Sequence, residues 1–401
     1  MVSNFEVTVE KLVYGGEGLA RLNGRIVFTP FVLPGERIRA RARHEKPGLV
    51  RADTLEVVDA APQRVTALCP YFGRCGGCHY QHAPYEFQLA LKRRILVEEL
   101  RRLGKIEPPG EIAVIAADPW GYRNRAQLHI EHGRLGYREA RSHRLCPIDH
   151  CPISSPKLNE AIRALAGMMR DPRWPRFVRS IEVFTDEREV QINVLDTDRP
   201  VARRFFEWCA EEIPGVVPGA LDYQGRFRVS SNSFFQVNRF LPDRLVAAAL
   251  AGAEGETALD LYAGVGLFSL PLAGRFREVT AVESGGGAAR DLQFNAARAG
   301  LANLRPEQRS AEEFLARFGQ SVDFVLMDPP RAGIGKGVVQ RLAELQPRRL
   351  TIVACDPATL ARDLAGLTAS GFRLDQLTLV DLFPQTYHLE TVAHLSARGV
   401  R

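Results

Sequence analysis

Phe324-Val325-Leu326-Met327-Asp328-Pro329-Pro330-Arg331 and Leu350-Thr351-Ile352-Val353-Ala354-Cys355-Asp356-Pro357 are two short apolar runs, each ended by polar residues and proline. Runs of this kind, alternating with helical patterns, predict buried parallel strands. In open α/β sheets ligands bind beyond the carboxyl ends of the strands. Asp328 and Cys355 are therefore candidates for one site. A third signal, Phe383-Pro384-Gln385-Thr386-Tyr387-His388-Leu389-Glu390, closes the stretch.

The surroundings of the thiol predict more. Pro357 suits the first position of a helix, Asp356 is a good N-cap, and Thr359 to Leu364 continue helically. Cys355 then precedes a helix N-terminus, where the helix dipole lowers a thiol pKa. The same position also suits a buried structural cysteine, and the Asp356 carboxylate opposes a stabilised thiolate.

Outward from this stretch the alternation continues. Ala258 to Tyr262 reads as a strand running into the turn Ala263-Gly264-Val265-Gly266-Leu267-Phe268-Ser269, and Glu278 to Glu283 as a second strand ending in an acid. Strands near 303–307, 322–327, 350–354, 373–381 and 389–397 complete a Rossmann-like, doubly wound α/β sheet over residues 231–401. The turn lacks the third glycine of a dinucleotide fingerprint, Ser269 standing in its place. Glu283, 19 residues after Gly264, is placed to bond ribose hydroxyls. Both features suit S-adenosylmethionine as well as a nicotinamide dinucleotide.

Residues 1–60 alternate apolar and polar side chains between glycine turns, and Asn23-Gly24 is a hairpin signal. They predict a small β-barrel. Arg37, Arg39, Arg41 and Arg43 at period two would share one face, either contacting phosphates or forming a solvated edge strand. Residues 61–230 predict a central α+β domain, with helices at 84–103, 156–169 and 200–212. It opens on Cys69, Cys75 and Cys78. Three cysteines within ten residues predict a metal or cluster site whose fourth ligand is Cys146 or Cys151. Zinc and an iron–sulfur cluster both take four thiolates, and the tight group with one remote partner favours the cluster.

The whole chain has 401 residues, 45% of them hydrophobic, and a net charge of +6. That length allows two or three domains, and the hydrophobic content, ample for a core, excludes disorder as the default. The charge is a mild argument for a nucleic-acid partner. No apolar run approaches the length of a membrane span, and no signal-peptide core opens the chain. These features point to a cytoplasmic protein, where seven cysteines suggest metal binding or catalysis.

Together the motifs resemble the RNA uracil-5-methyltransferase family, and in particular its 23S rRNA branch with an amino-terminal TRAM domain. The resemblance covers essentially the whole chain. Residues 1–60 look like TRAM, Cys69, Cys75 and Cys78 like a 4Fe-4S motif, and Ser231 to Asn238 like the signature that precedes the catalytic core. Asp260 to Leu270 (DLYAGVGLFSL), Asp328 to Gly333 (DPPRAG) and Cys355 to Leu364 (CDPATLARDL) match that core. The resemblance implies Cys355 as nucleophile and Glu390 as base, with Gln236, Tyr262, Glu283 and Asp328 against S-adenosylmethionine. It also implies Cys151 as the fourth cluster ligand and RNA as partner; a monomer is expected. Asp356 and Leu267 depart from the family, which often has Asn at both places. Rival functions are the same reaction on tRNA, an amino-group methyltransferase and an iron–sulfur RNA-binding protein without catalysis. The DPP motif suits an amino-group methyltransferase, but Arg331 and Cys355 stand where it needs an aromatic and no thiol.

Overall fold

Alternating side chains close the first strands on themselves. In the computed structural model, which describes residues 4–398, β1 (Asn4–Leu12), β2 (Glu17–Leu22), β3 (Arg25–Pro30), β4 (Arg37–Lys46) and β5 (Leu49–Asp59) form a barrel in the order β1-β2-β3-β5-β4. Asn23 and Gly24 both adopt positive φ, 50° and 79°, as a two-residue hairpin turn requires. On β4, Ile38, Ala40 and Ala42 fill the barrel while the four arginines face out. Because β4 pairs with both β1 and β5 it is no edge strand. Carboxylates meet its arginines: Glu6 and Asp59 at Arg37, Glu6 and Glu56 at Arg39, and Asp53 at Arg43.

The remaining strands are β6 (Ala113–Ile115), β7 (Arg125–Glu131), β8 (Arg134–Arg138), β9 (Leu145–Pro147), β10 (Val178–Thr185), β11 (Val190–Thr197), β12 (Leu221–Tyr223), β13 (Phe227–Val229), β14 (Gly255–Leu261), β15 (Phe276–Glu283), β16 (Leu304–Gln308), β17 (Phe324–Met327), β18 (Arg349–Ala354), β19 (Phe372–Val380) and β20 (Glu390–Ala397). Two compact units result. The first holds the residues up to Leu96, Gly136–Pro152 and Phe383–His388; the second holds the rest.

Within the first unit β8 pairs with β9. A side chain at Gly136 would collide with the Cys146 carbonyl, so glycine permits this close approach. The segment Phe383–His388 is tied down by polar bonds. The His79 and Tyr80 amides donate to the Gln385 carbonyl, and fully buried Lys92 donates to that of Phe383 at 2.9 Å.

In the second unit β10 lies between β7 and β11, all antiparallel. The main sheet has eight strands in the order β16-β15-β14-β17-β18-β20-β19-β6. β14 to β18 are parallel, and β17 is buried at every residue. Such a strand, covered on both faces, needs the unbroken apolar run seen in the sequence. β20 departs from that pattern by running antiparallel to both neighbours. Short β6 joins alongside β19, a pairing that the sequence did not suggest. Among the described residues no helix is long and apolar enough to cross a membrane.

Candidate active site

Strand order reverses beside β14, with β15 on one side and β17 on the other. That switch point is where open α/β sheets bind ligands. Tyr262 follows β14, Glu283 ends β15, Asp328 follows β17 and Cys355 follows β18. Glu390 begins β20, and the reversed direction of that strand brings its first residue to the same edge. Five of the expected residues thus share one edge of the sheet.

The glycine turn is built around Glu283. One carboxylate oxygen accepts the Gly264 amide at 2.9 Å and the other the Gly285 amide at 2.6 Å. Gly264 and Gly266 have φ of 57° and 99°. A Cβ on Gly266 would press on Leu270 and Leu292, whereas one on Gly264 would meet nothing within 4 Å. The turn therefore packs inward at Gly266 and stays open at Gly264. Tyr262, also at positive φ, donates its hydroxyl to the Ile334 carbonyl at 3.5 Å. Gln236 is buried in the irregular segment after β13.

Beneath the turn lies Asp260, fully buried, with Ser269 Oγ donating to one oxygen at 2.5 Å and the other oxygen unpartnered. Burial first, then Asp328 and Glu283, push it up to about 7. Sequence reasoning passed over this residue, although an acid inside an apolar strand was a signal.

Asp356 caps the helix Pro357–Ala369 as expected, its carboxylate accepting the amides of Ala358 and Thr359 at 3.0 and 2.9 Å. The expected lowering of the thiol pKa is not what the site produces. Burial, then Glu390 and Asp328, push Cys355 up to about 12, and Arg331 only partly opposes them. Asp328 itself is raised to about 7 by burial, and Glu390 lies well above the carboxylate range through burial and Asp328. The helix dipole acts locally, whereas these acids come from strands remote in sequence. A thiol, two carboxyls and a guanidinium at one buried edge can serve as nucleophile, proton acceptors and charge balance.

In the first unit Cys69, Cys75, Cys78, Cys146 and Cys151 gather in one region. Cys151 acts electrostatically on Cys69, Cys75 and Cys78, and Cys146 on Cys69 and Cys75. Burial pushes Cys75 up to about 12. Among the described residues no three His, Cys, Asp or Glu side chains are grouped so as to hold a single metal ion.

The sequence model of the tRNA (Uracil-5-)-methyltransferase family matches residues 219–398, and that of the TRAM domain residues 2–55. A 23S rRNA (uracil(1939)-C(5))-methyltransferase of Pseudomonas putida is 33% identical, over 97% of this chain and 93% of its own. The chain belongs to the RNA uracil-5-methyltransferase family. An uncharacterized RNA methyltransferase of Aquifex aeolicus is 32% identical over 98% of both chains. Among solved structures, a Pyrococcus abyssi tRNA (uracil-54, C5)-methyltransferase in complex with S-adenosyl-L-homocysteine is 27% identical. It covers 98% of this chain and 100% of its own with a TM-score of 0.76. Membership makes this protein an S-adenosylmethionine-dependent RNA uracil-5-methyltransferase with a TRAM domain at its amino end.

Proposed function

We propose that this methyltransferase acts on a uridine of 23S rRNA through a covalent bond between Cys355 and the base. The carrying observation is that Cys355 and Glu390 meet at the edge that also bears the glycine turn. Carbon 5 of uracil is too weak a nucleophile to take a methyl group unaided. Cys355 sulfur adds to carbon 6, and the electron pair of the 5,6 double bond moves into an enolate that makes carbon 5 nucleophilic. Arg331 is the residue whose charge favours the thiolate. Glu390 then takes the proton from methylated carbon 5, the double bond re-forms and Cys355 is expelled. The target base must leave its stack to reach so buried a pair.

S-adenosylmethionine, when bound, supplies the electrophilic methyl group. Gln236, Tyr262, Glu283 and Asp328 would hold it. Glu283 suits ribose hydroxyls because each oxygen, after accepting one amide, keeps lone-pair capacity. Cys69, Cys75, Cys78 and Cys151 would hold a 4Fe-4S cluster in the central domain, residues 61–230. Cys151 acts on all three of Cys69, Cys75 and Cys78, whereas Cys146 acts on Cys69 and Cys75 but is not among the chief influences on Cys78, which supports Cys151 over Cys146. A cytoplasmic monomer is the simplest state for this enzyme.

The Pseudomonas relative and the paired TRAM and cysteine features support rRNA, while the Pyrococcus likeness favours tRNA as the second reading. Mass spectrometry of nucleosides from cells lacking the protein decides between them. Loss of 5-methyluridine from 23S rRNA is expected, and loss from tRNA alone would overturn the rRNA assignment.

A further inference from the structure

Ser233 lies three residues before Gln236 and is gripped from two sides. Its hydroxyl donates to Asp291 Oδ2 at 2.7 Å, and its carbonyl accepts from Arg125 Nη1 at 2.7 Å. Asp291 takes two further bonds from the same segment, from the Ser230 amide at 2.8 Å and the Ser230 hydroxyl at 2.6 Å. Arg125 is fixed in turn by Glu182 at 2.7 Å and by the ring of Phe184. Ser233 and Asp291 are each 1% exposed.

One turn along the helix Gly286–Arg298, Asn295 shares a face with Asp291 and is fully buried. It accepts the Arg228 amide at 2.8 Å and donates to the carbonyls of Arg228 at 3.2 Å and Val265 at 3.0 Å. Val265 is the residue between the two glycines of the turn. One helix face therefore holds both the segment leading to Gln236 and the turn anchored on Glu283.

We infer that Asp291 and Asn295 are positioning residues, fixing Gln236 against the glycine turn and so setting the fit of the S-adenosylmethionine pocket. The inference rests on the proposed role of Gln236 in that pocket. The segment from Ser230 to Gln236 has no strand or helix to hold it, and ordering such a loop on binding costs conformational entropy. A buried carboxylate with three donors makes that ordering permanent, since charge-assisted bonds are the strong ones.

Ser233→Ala, Asp291→Asn and Gln236→Ala test the device in the full-length enzyme, with kcat and KM for S-adenosylmethionine and melting temperature measured for each. Ser233→Ala and Asp291→Asn are expected to raise KM roughly tenfold, as loss of outer support typically does, with saturated kcat within about twofold. A merely structural role would lower the melting temperature without separating KM from kcat. If Gln236→Ala raises KM while the other two leave it unchanged, the positioning role is wrong and the pocket assignment stands. If Gln236→Ala also leaves KM unchanged, the pocket assignment fails and takes this inference with it. Should Asp291→Asn not fold, Ser233→Ala, which removes one hydroxyl, carries the test.

Discussion

Cys355 and Glu390 each lie one residue beyond the last pair of the antiparallel β18–β20 ladder, Ala354 with Thr391, and the Glu390 carboxyl acts on the Cys355 thiol. The end of that ladder therefore brings sulfur and carboxyl to one edge of the sheet.

That pairing makes two substitutions behave differently. Cys355→Ala should neither methylate RNA nor form any adduct. Glu390→Gln should still add to the base, yet stall at elimination and leave an RNA–protein adduct on denaturing gels. RNA carrying 5-fluorouridine should trap the wild-type enzyme in the same way, because fluorine does not leave as a proton does. Normal turnover by Cys355→Ala would exclude the covalent route.

Glu283 carries the glycine turn. Glu283→Ala should weaken binding of S-adenosylmethionine by roughly 1–3 kcal/mol, the usual cost of leaving the bound ligand's hydroxyls without their partner. Isothermal calorimetry giving wild-type affinity would remove Glu283 from the pocket.

The cysteine group should yield a brown protein with four irons when purified without oxygen. Cys151→Ser should lose them and Cys146→Ser should keep them. Stoichiometric zinc without visible absorption would overturn the cluster, and the reverse pattern of the two variants would make Cys146 the ligand.

Asp260 should make stability depend on pH. Its folded pKa is raised, to about 7 from an ordinary 3.8. Between those values the unfolded chain has lost this proton while the folded chain keeps it, so stability falls as pH rises through that window. Asp260→Asn removes the penalty. The gain in unfolding free energy should be on the order of 2–3 kcal/mol larger at pH 8 than at pH 5. Denaturant titrations giving equal gains at both values would contradict the raised pKa.

Much of the site was legible because its residues sit where apolar runs stop. Asp328 and Cys355 follow strands whose lengths the sequence gives away, and the Asp356 cap follows from local spacing, whereas the bond from the Gly264 amide to Glu283 was not read from it. What stayed hidden was non-local. The direction of β20 leaves no trace in its composition, yet it alone carries Glu390 to the working edge. The thiol pKa was misjudged for the same reason, since Asp328 and Glu390 reach Cys355 only through the sheet. Asp291 and Asn295 look in sequence like a solvated helix face, and only folding brings Ser230, Ser233 and Val265 onto them.

The barrel's row of arginines has a consequence for how RNA would be held there. Arg37, Arg39 and Arg43 already have carboxylate partners on β1 and β5, so with those carboxylates still tethered nearby they would neutralise an incoming phosphate less completely and release fewer of the cations condensed on RNA. Released counterions are what make nucleic-acid affinity collapse in salt. A surface of this kind would give up some strength in dilute buffer and keep more of its grip at physiological ionic strength.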